Sequence, residues 1–158
     1  VKQKLLDLAI TAAVWFVVIA PLHEFWHYQV GTWMGGQGFY VTYPDFLSGR
    51  CFWTVSPPND WIVYLMGGVG AGVMMLLLAW RALSSPTRWD EDDLFVLALF
   101  GGIQIGYGLG ELSLAFRPDL FWPCAIAGSV LGSLPAALWR GPKLAAWIFE
   151  TGNAESSP

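Results

Sequence analysis

Of 158 residues, 55% are hydrophobic and only 13% charged, against roughly 25% charged in an ordinary soluble domain, so the chain reads as an integral membrane protein with room for one compact bundle. A net charge of -4 and the lack of a long basic run exclude the electrostatic footprint of a nucleic-acid binder. Cys51 and Cys124 stand too far apart in sequence for a Cys-x-x-Cys metal site.

Leu5 to about Val30 is a nearly unbroken apolar run, long enough to cross a bilayer core of ~30 Å. Lys2 and Lys4 flank it as they would a secretory signal, yet it continues through Pro21 into two histidines with no small-x-small cleavage site, which marks a mature spanning helix. Pro21 cannot donate to the carbonyl one turn earlier, so a kink is expected just before His23. Then comes His23-Glu24-Phe25-Trp26-His27. Residues four apart on a helix share a face, about 6 Å apart along the axis, so His23 and His27 can reach one metal ion. Glu24, one position round, can take a proton from a metal-bound water. This is the HExxH arrangement of zinc hydrolases. Titratable side chains deep in a span are tolerated when ligated or hydrogen-bonded, which favours a metal site over histidines that only bridge helices. Histidines four apart on one helix do not supply the opposite axial positions of a single haem.

From Gly31 to Pro58 the pattern changes to glycine, aromatic and β-branched residues. Phe39, Val41 and Tyr43 alternate with Tyr40 and Thr42, and Cys51, Trp53 and Val55 alternate with Phe52 and Thr54, predicting a β-hairpin with its turn between Pro44 and Arg50. Its aromatic content fits a membrane-associated loop, and its edge is one that an extended peptide strand could join. Trp61 to about Leu83 is the second span, with Gly68 and Gly72 spaced for close helix approach. A polar segment, Ser84 to Asp93, follows, its acidic run placed to complement a helix N-terminus. The third span, Leu94 to about Phe116, carries Gly102, Gly106 and Gly110 on one stripe and Gln104, Tyr107 and Glu111 on the next. A carboxylate at the depth of Glu111 costs on the order of 2.5 to 3.5 kcal/mol unless it faces a partner, which makes Glu111 a functional candidate. A fourth span runs from about Leu120 to Trp139, followed by a short amphipathic turn over Lys143 to Phe149 and, within 151–158, a disordered tail. The fold class expected is thus an all-α integral membrane protein, with four transmembrane helices and a hairpin between the first two, in one domain over 1–150.

Over roughly residues 5 to 122 the sequence resembles the site-2 protease family of intramembrane zinc metalloproteases. His23 to Tyr28 looks like its HExxH helix, Gly31 to Pro58 is similar to the membrane-associated β-loop that follows, and Gly67 to Gly72 falls where the family has a small-Gly-Pro segment ending in asparagine. Arg117-Pro118-Asp119-Leu120 falls where the family has Asn-Pro-Asp-Gly, whose aspartate is the third zinc ligand. The resemblance therefore implies Zn2+ held by His23, His27 and Asp119, with Glu24 as catalytic base. Departures are Val69 and Gly72 for the proline and asparagine, Trp26 for a glycine, and Arg117 and Leu120 around the aspartate. Glu111 stands near a family asparagine and is the alternative third ligand. The first and third spans should run in the same direction, and Glu111 lies about as far into its span as His23 into its own.

The function expected is a zinc-dependent endopeptidase, multi-pass in the cell membrane, that cuts a transmembrane segment of another membrane protein, with Gly68, Gly72, Tyr107 and Glu111 as substrate-binding positions. The partners expected are that substrate, the lipid bilayer and other membrane subunits, with no nucleic acid. The rival expectations are an inert metal-binding or structural subunit of a larger membrane complex and, more remotely, a small transporter. Basic residues gather at the N-terminal end of the bundle, which argues for that end inside the cell, whereas the resemblance implies an active site nearer the cytoplasm.

Overall fold

A computed structural model describes residues 2–42, 49–84 and 91–154. The elements are α1 (Lys2–Trp33), β1 (Gln37–Thr42), β2 (Gly49–Val55), α2 (Asp60–Leu83), α3 (Glu91–Leu112), two 3-10 turns at Ser113–Ala115 and Pro118–Leu120, and α4 (Phe121–Ala154). Among the described residues, four helical segments are long and apolar enough to cross a membrane: Leu5–Trp33, Asp60–Leu83, Glu91–Ala115 and Pro118–Lys143. The fold is therefore mostly helical with one small hairpin, as the apolar runs predict.

The helices alternate in direction. Thr11 Oγ1 donates to Asp93 Oδ1 at 2.9 Å, and His23 meets Gln104 and Glu111 further along, so α1 and α3 are parallel. Gly68 lies against Gly108 and Gly72 against Gly101, which sets α2 antiparallel to α3. Gly102 meets Gly132, Gly106 meets Gly128 and Gly110 meets Ala125, which sets α4 antiparallel to α3. With no Cβ at these crossings the backbones touch, and dispersion between them replaces side-chain interdigitation. Away from the hairpin, an apolar cluster of Ile19, Met75, Ala79 and Leu97 fills the space between α1, α2 and α3. At the first turn of α3, Arg140 of α4 is bound by Glu91 (Nη1 to Oε2, 2.6 Å) and Asp92 (Nη2 to Oδ1, 3.2 Å).

α1 ends where its glycines allow. Gly35 takes a positive φ of 91°, its N–H donates to the Thr32 carbonyl at 3.0 Å, and Gly36 N–H donates to the Gly31 carbonyl at 2.9 Å. This is a Schellman closure, and it turns the chain straight into β1. β1 and β2 pair antiparallel, with Phe39 opposite Phe52 and Tyr40 opposite Cys51. One hairpin face returns to α1: the Trp53 ring lies over Gly31 and stacks on Tyr28 at 6.2 Å, and Cys51 Sγ donates to the Glu24 carbonyl at 3.2 Å. The other face leaves Phe39 and Phe52 stacked at 5.3 Å and exposed. Of the turn expected between Pro44 and Arg50, Gly49 already belongs to β2, and the rest lies outside the described residues.

α1 is one continuous helix through Pro21, since the missing N–H removes only one bond and neighbouring helices hold the rest. One expected boundary differs. α4 passes through Pro135 and Pro142 and continues to Ala154 instead of ending near Trp139. The expected amphipathic turn at Lys143 to Phe149 is part of it. Of the expected tail, 151–154 form the last turn of α4, and 155–158 lie outside the described residues.

Candidate metal centre

The four-residue spacing sets His23 and His27 on the face of α1 turned toward α2 and α3, where each is 8% exposed. Each ring is oriented from outside the cluster. His23 Nδ1 donates to Gln104 Oε1 at 2.9 Å, and His27 Nδ1 donates to the Val63 carbonyl of α2 at 2.6 Å. A backbone carbonyl only accepts, so the ring proton of neutral His27 is on Nδ1 and its Nε2 lone pair points inward; Gln104 Oε1 orients His23 likewise.

The inward nitrogens converge with one carboxylate. The two Nε2 atoms are 2.9 Å apart, Glu111 Oε2 is 3.0 Å from His23 Nε2, and Glu111 Oε1 is 3.5 Å from His27 Nε2. One ligand atom from each of the three residues lies within 4.8 Å of the others. Three electron-pair donors this close repel one another unless they share a proton or a metal ion. Two imidazoles, each with its outer nitrogen held by a second partner, and one carboxylate are a donor set of the kind that catalytic zinc sites use and could hold a metal ion. Tyr107 completes the wall, its ring edge-on to His23 at 5.7 Å and to Phe121 at 5.7 Å.

Of the two candidate third ligands, the structure brings Glu111 to the histidines and leaves Asp119 apart. Asp119 lies in the Pro118–Leu120 turn, its side chain 60% exposed and gripped by Arg117 through Nη2 to Oδ2 at 2.7 Å and Nε to Oδ1 at 3.0 Å. Gly68 and Gly72, expected to bind substrate, face the backbone of α3, where they permit close packing. Glu24 lines a cavity of about 340 Å³ together with His27, Glu111, Cys51, Asp60 and Tyr64. The hairpin thus roofs a space in which the expected base and two of the candidate ligands meet.

Gly67 is a residue whose part in the site sequence reasoning missed. A Cβ there would run into the His27 imidazole; the only signal was its place at the head of the glycine run, which helix packing already explained. Gly67→Ala is expected to displace the ring and weaken zinc binding by at least about tenfold, the lower end of what a support residue contributes. Gly141→Ala has open space around it and should leave binding unchanged in the same chelator-competition assay.

Cys51 faces this cavity as a thiol. Burial pushes its ionisation above the ordinary range, and the Glu24 carboxylate adds to the effect. Since the thiolate is the reactive form and an ordinary cysteine is half ionised near pH ~8.5, Cys51 stays protonated there. Iodoacetamide should modify it at least about tenfold more slowly in the folded chain than in the unfolded chain, with a rate still climbing at pH values where the unfolded chain has levelled off.

Compared with protein-family models, curated proteins and solved structures, the chain matches none.

Proposed function

We propose that this chain is a multi-pass membrane protein and a zinc-dependent endopeptidase that cleaves a transmembrane segment of another protein, similar in site and order of elements to the site-2 proteases. The observation that carries the reading is the convergence of His23 Nε2, His27 Nε2 and the Glu111 carboxylate on one point beside a cavity that also exposes Glu24. In this reading His23, His27 and Glu111 hold the metal, and Asp119 is replaced as third ligand. Bound zinc supplies Lewis acidity, which lowers the pKa of a water and polarises a carbonyl.

The remaining work falls to the chain. Glu24 takes the proton of the attacking water and returns it to the leaving amine. Gln104 and Val63 keep both imidazoles aimed inward through the cycle. Tyr107 borders the site beside His23. A helical substrate hides its carbonyls in its own hydrogen bonds, so the segment must unwind to reach the cavity, and the hairpin beside it offers strand edges to an extended peptide.

Glu24→Gln separates binding from chemistry. It is expected to keep zinc at wild-type affinity and to lose cleavage of a membrane-spanning reporter by about 10² to 10⁴-fold, the usual contribution of a general base. Zinc retained with no cleavage by the wild type either would favour the inert metal-binding subunit.

A further inference from the structure

The structure sorts the cations of the chain by end. At one end α1 begins, α2 finishes, α3 begins and Arg140 of α4 is held against Glu91. Among the described residues, that end carries Lys2, Lys4, Arg81, Arg140 and Lys143. At the other end lie the hairpin, the start of α2 and the turns before α4, with Arg50 and Arg117 as their basic residues. Arg117 is matched there by a two-point pair with Asp119. The cavity leading to Glu24, His27 and Glu111 belongs to this cation-poor end, since β2 and the first turn of α2 line it.

Lysine and arginine near helix ends are retained on the cytoplasmic side of a membrane, while acidic residues weigh little in that choice. The membrane potential, negative inside, acts in the same direction on each cation. We propose that the hairpin end, and the mouth of the cavity with it, faces away from the cytoplasm, and that the polypeptide handled at the histidine–glutamate cluster is presented from the extracytoplasmic side. The inference rests on the membrane placement proposed above, does not depend on catalysis, and departs from the family resemblance, which implies a site nearer the cytoplasm. A metal ion held by His23, His27 and Glu111 would then also be reached from outside. Toward the cytoplasmic end the apolar cluster around Met75 and Leu97, both fully buried, closes the space between the helices.

The test labels single cysteines in the full chain, with Cys51 and Cys124 replaced by serine. Ser56 lines the cavity and Ser84 caps α2 at the opposite end, and both are exposed. In intact spheroplasts of a bacterial host, a membrane-impermeant maleimide should modify Ser56→Cys, and Ser84→Cys only after lysis. Labelling of Ser84→Cys alone, of both, or of neither in intact spheroplasts overturns the proposal. As a measurement without substitutions, a phosphatase active only outside the cytoplasm, fused after Pro158, should be inactive; an active fusion overturns the proposal as well. Loss of the peptidase reading would appear separately, as absent zinc or absent cleavage with the labelling pattern intact.

Discussion

Replacing Glu111 by glutamine should lower zinc affinity more than about a hundredfold, because removing a ligand costs more than removing a second-shell partner, itself worth about 10 to 100-fold. Asp119→Asn should leave affinity unchanged. The contrast follows from where the two carboxylates lie: Glu111 is within 3.5 Å of both inward nitrogens, while Asp119 is 60% exposed and paired with Arg117. An amide in place of the Glu111 carboxylate keeps the shape of the side chain and removes its charge, so a loss would report the electrostatics of the donor set. Competition against a chromophoric chelator in detergent measures both variants on one scale. Metal lost from Asp119→Asn and kept by Glu111→Gln would reverse the assignment.

Gly106→Val is expected to be the most destabilising single change in the bundle. A Cβ at Gly106 meets the backbone carbonyl of Gly128, which has no rotamer with which to move aside, so α3 and α4 must separate. Overpacking costs about 1 to 3 kcal/mol where side chains can adjust; here the expected loss is at the top of that range or above. Moving the helices apart at this position also opens the crossings at Gly102 and Gly110, which lie a turn away on either side. Glu111 rides on the same helix, so metal affinity should fall together with stability. Leu109→Ala, at a position on α3 that is 51% exposed, should leave both almost untouched. Thermal unfolding in detergent with parallel metal titration compares the two variants.

Much of the architecture was legible because it depends on local periodicity. Four apolar runs mark α1 to α4, and alternation between residues 39 and 55 marks the hairpin. The pairing of His23 with His27 follows from one helical turn. The third member of the cluster was not local. It depends on how far α3 slides along α1, which is set by backbone crossings such as Gly68 on Gly108 and by the Thr11 to Asp93 bond. Counting depth along parallel spans pointed to Glu111, whereas the motif resemblance pointed to Asp119, and the structure pairs Asp119 with Arg117, one of the residues where the motif departs. The orienting partners were harder still. Val63 acts through its carbonyl and Gly67 through its missing side chain, and neither leaves a residue-type signature that spacing could expose. The length of α4 was underestimated because apolar character becomes mixed after Arg140, although in the structure the helix continues through Pro142 to Ala154.

X-ray absorption at the zinc edge of the purified wild-type chain tests the metal centre most directly. The account predicts about one zinc per chain, in a shell of nitrogen and oxygen neighbours at about 2.0 to 2.1 Å, lost when His23 and His27 are both replaced by alanine. A chain that takes up no zinc when supplied with it, or a shell containing sulfur at about 2.3 Å from Cys51 or Cys124, would contradict it.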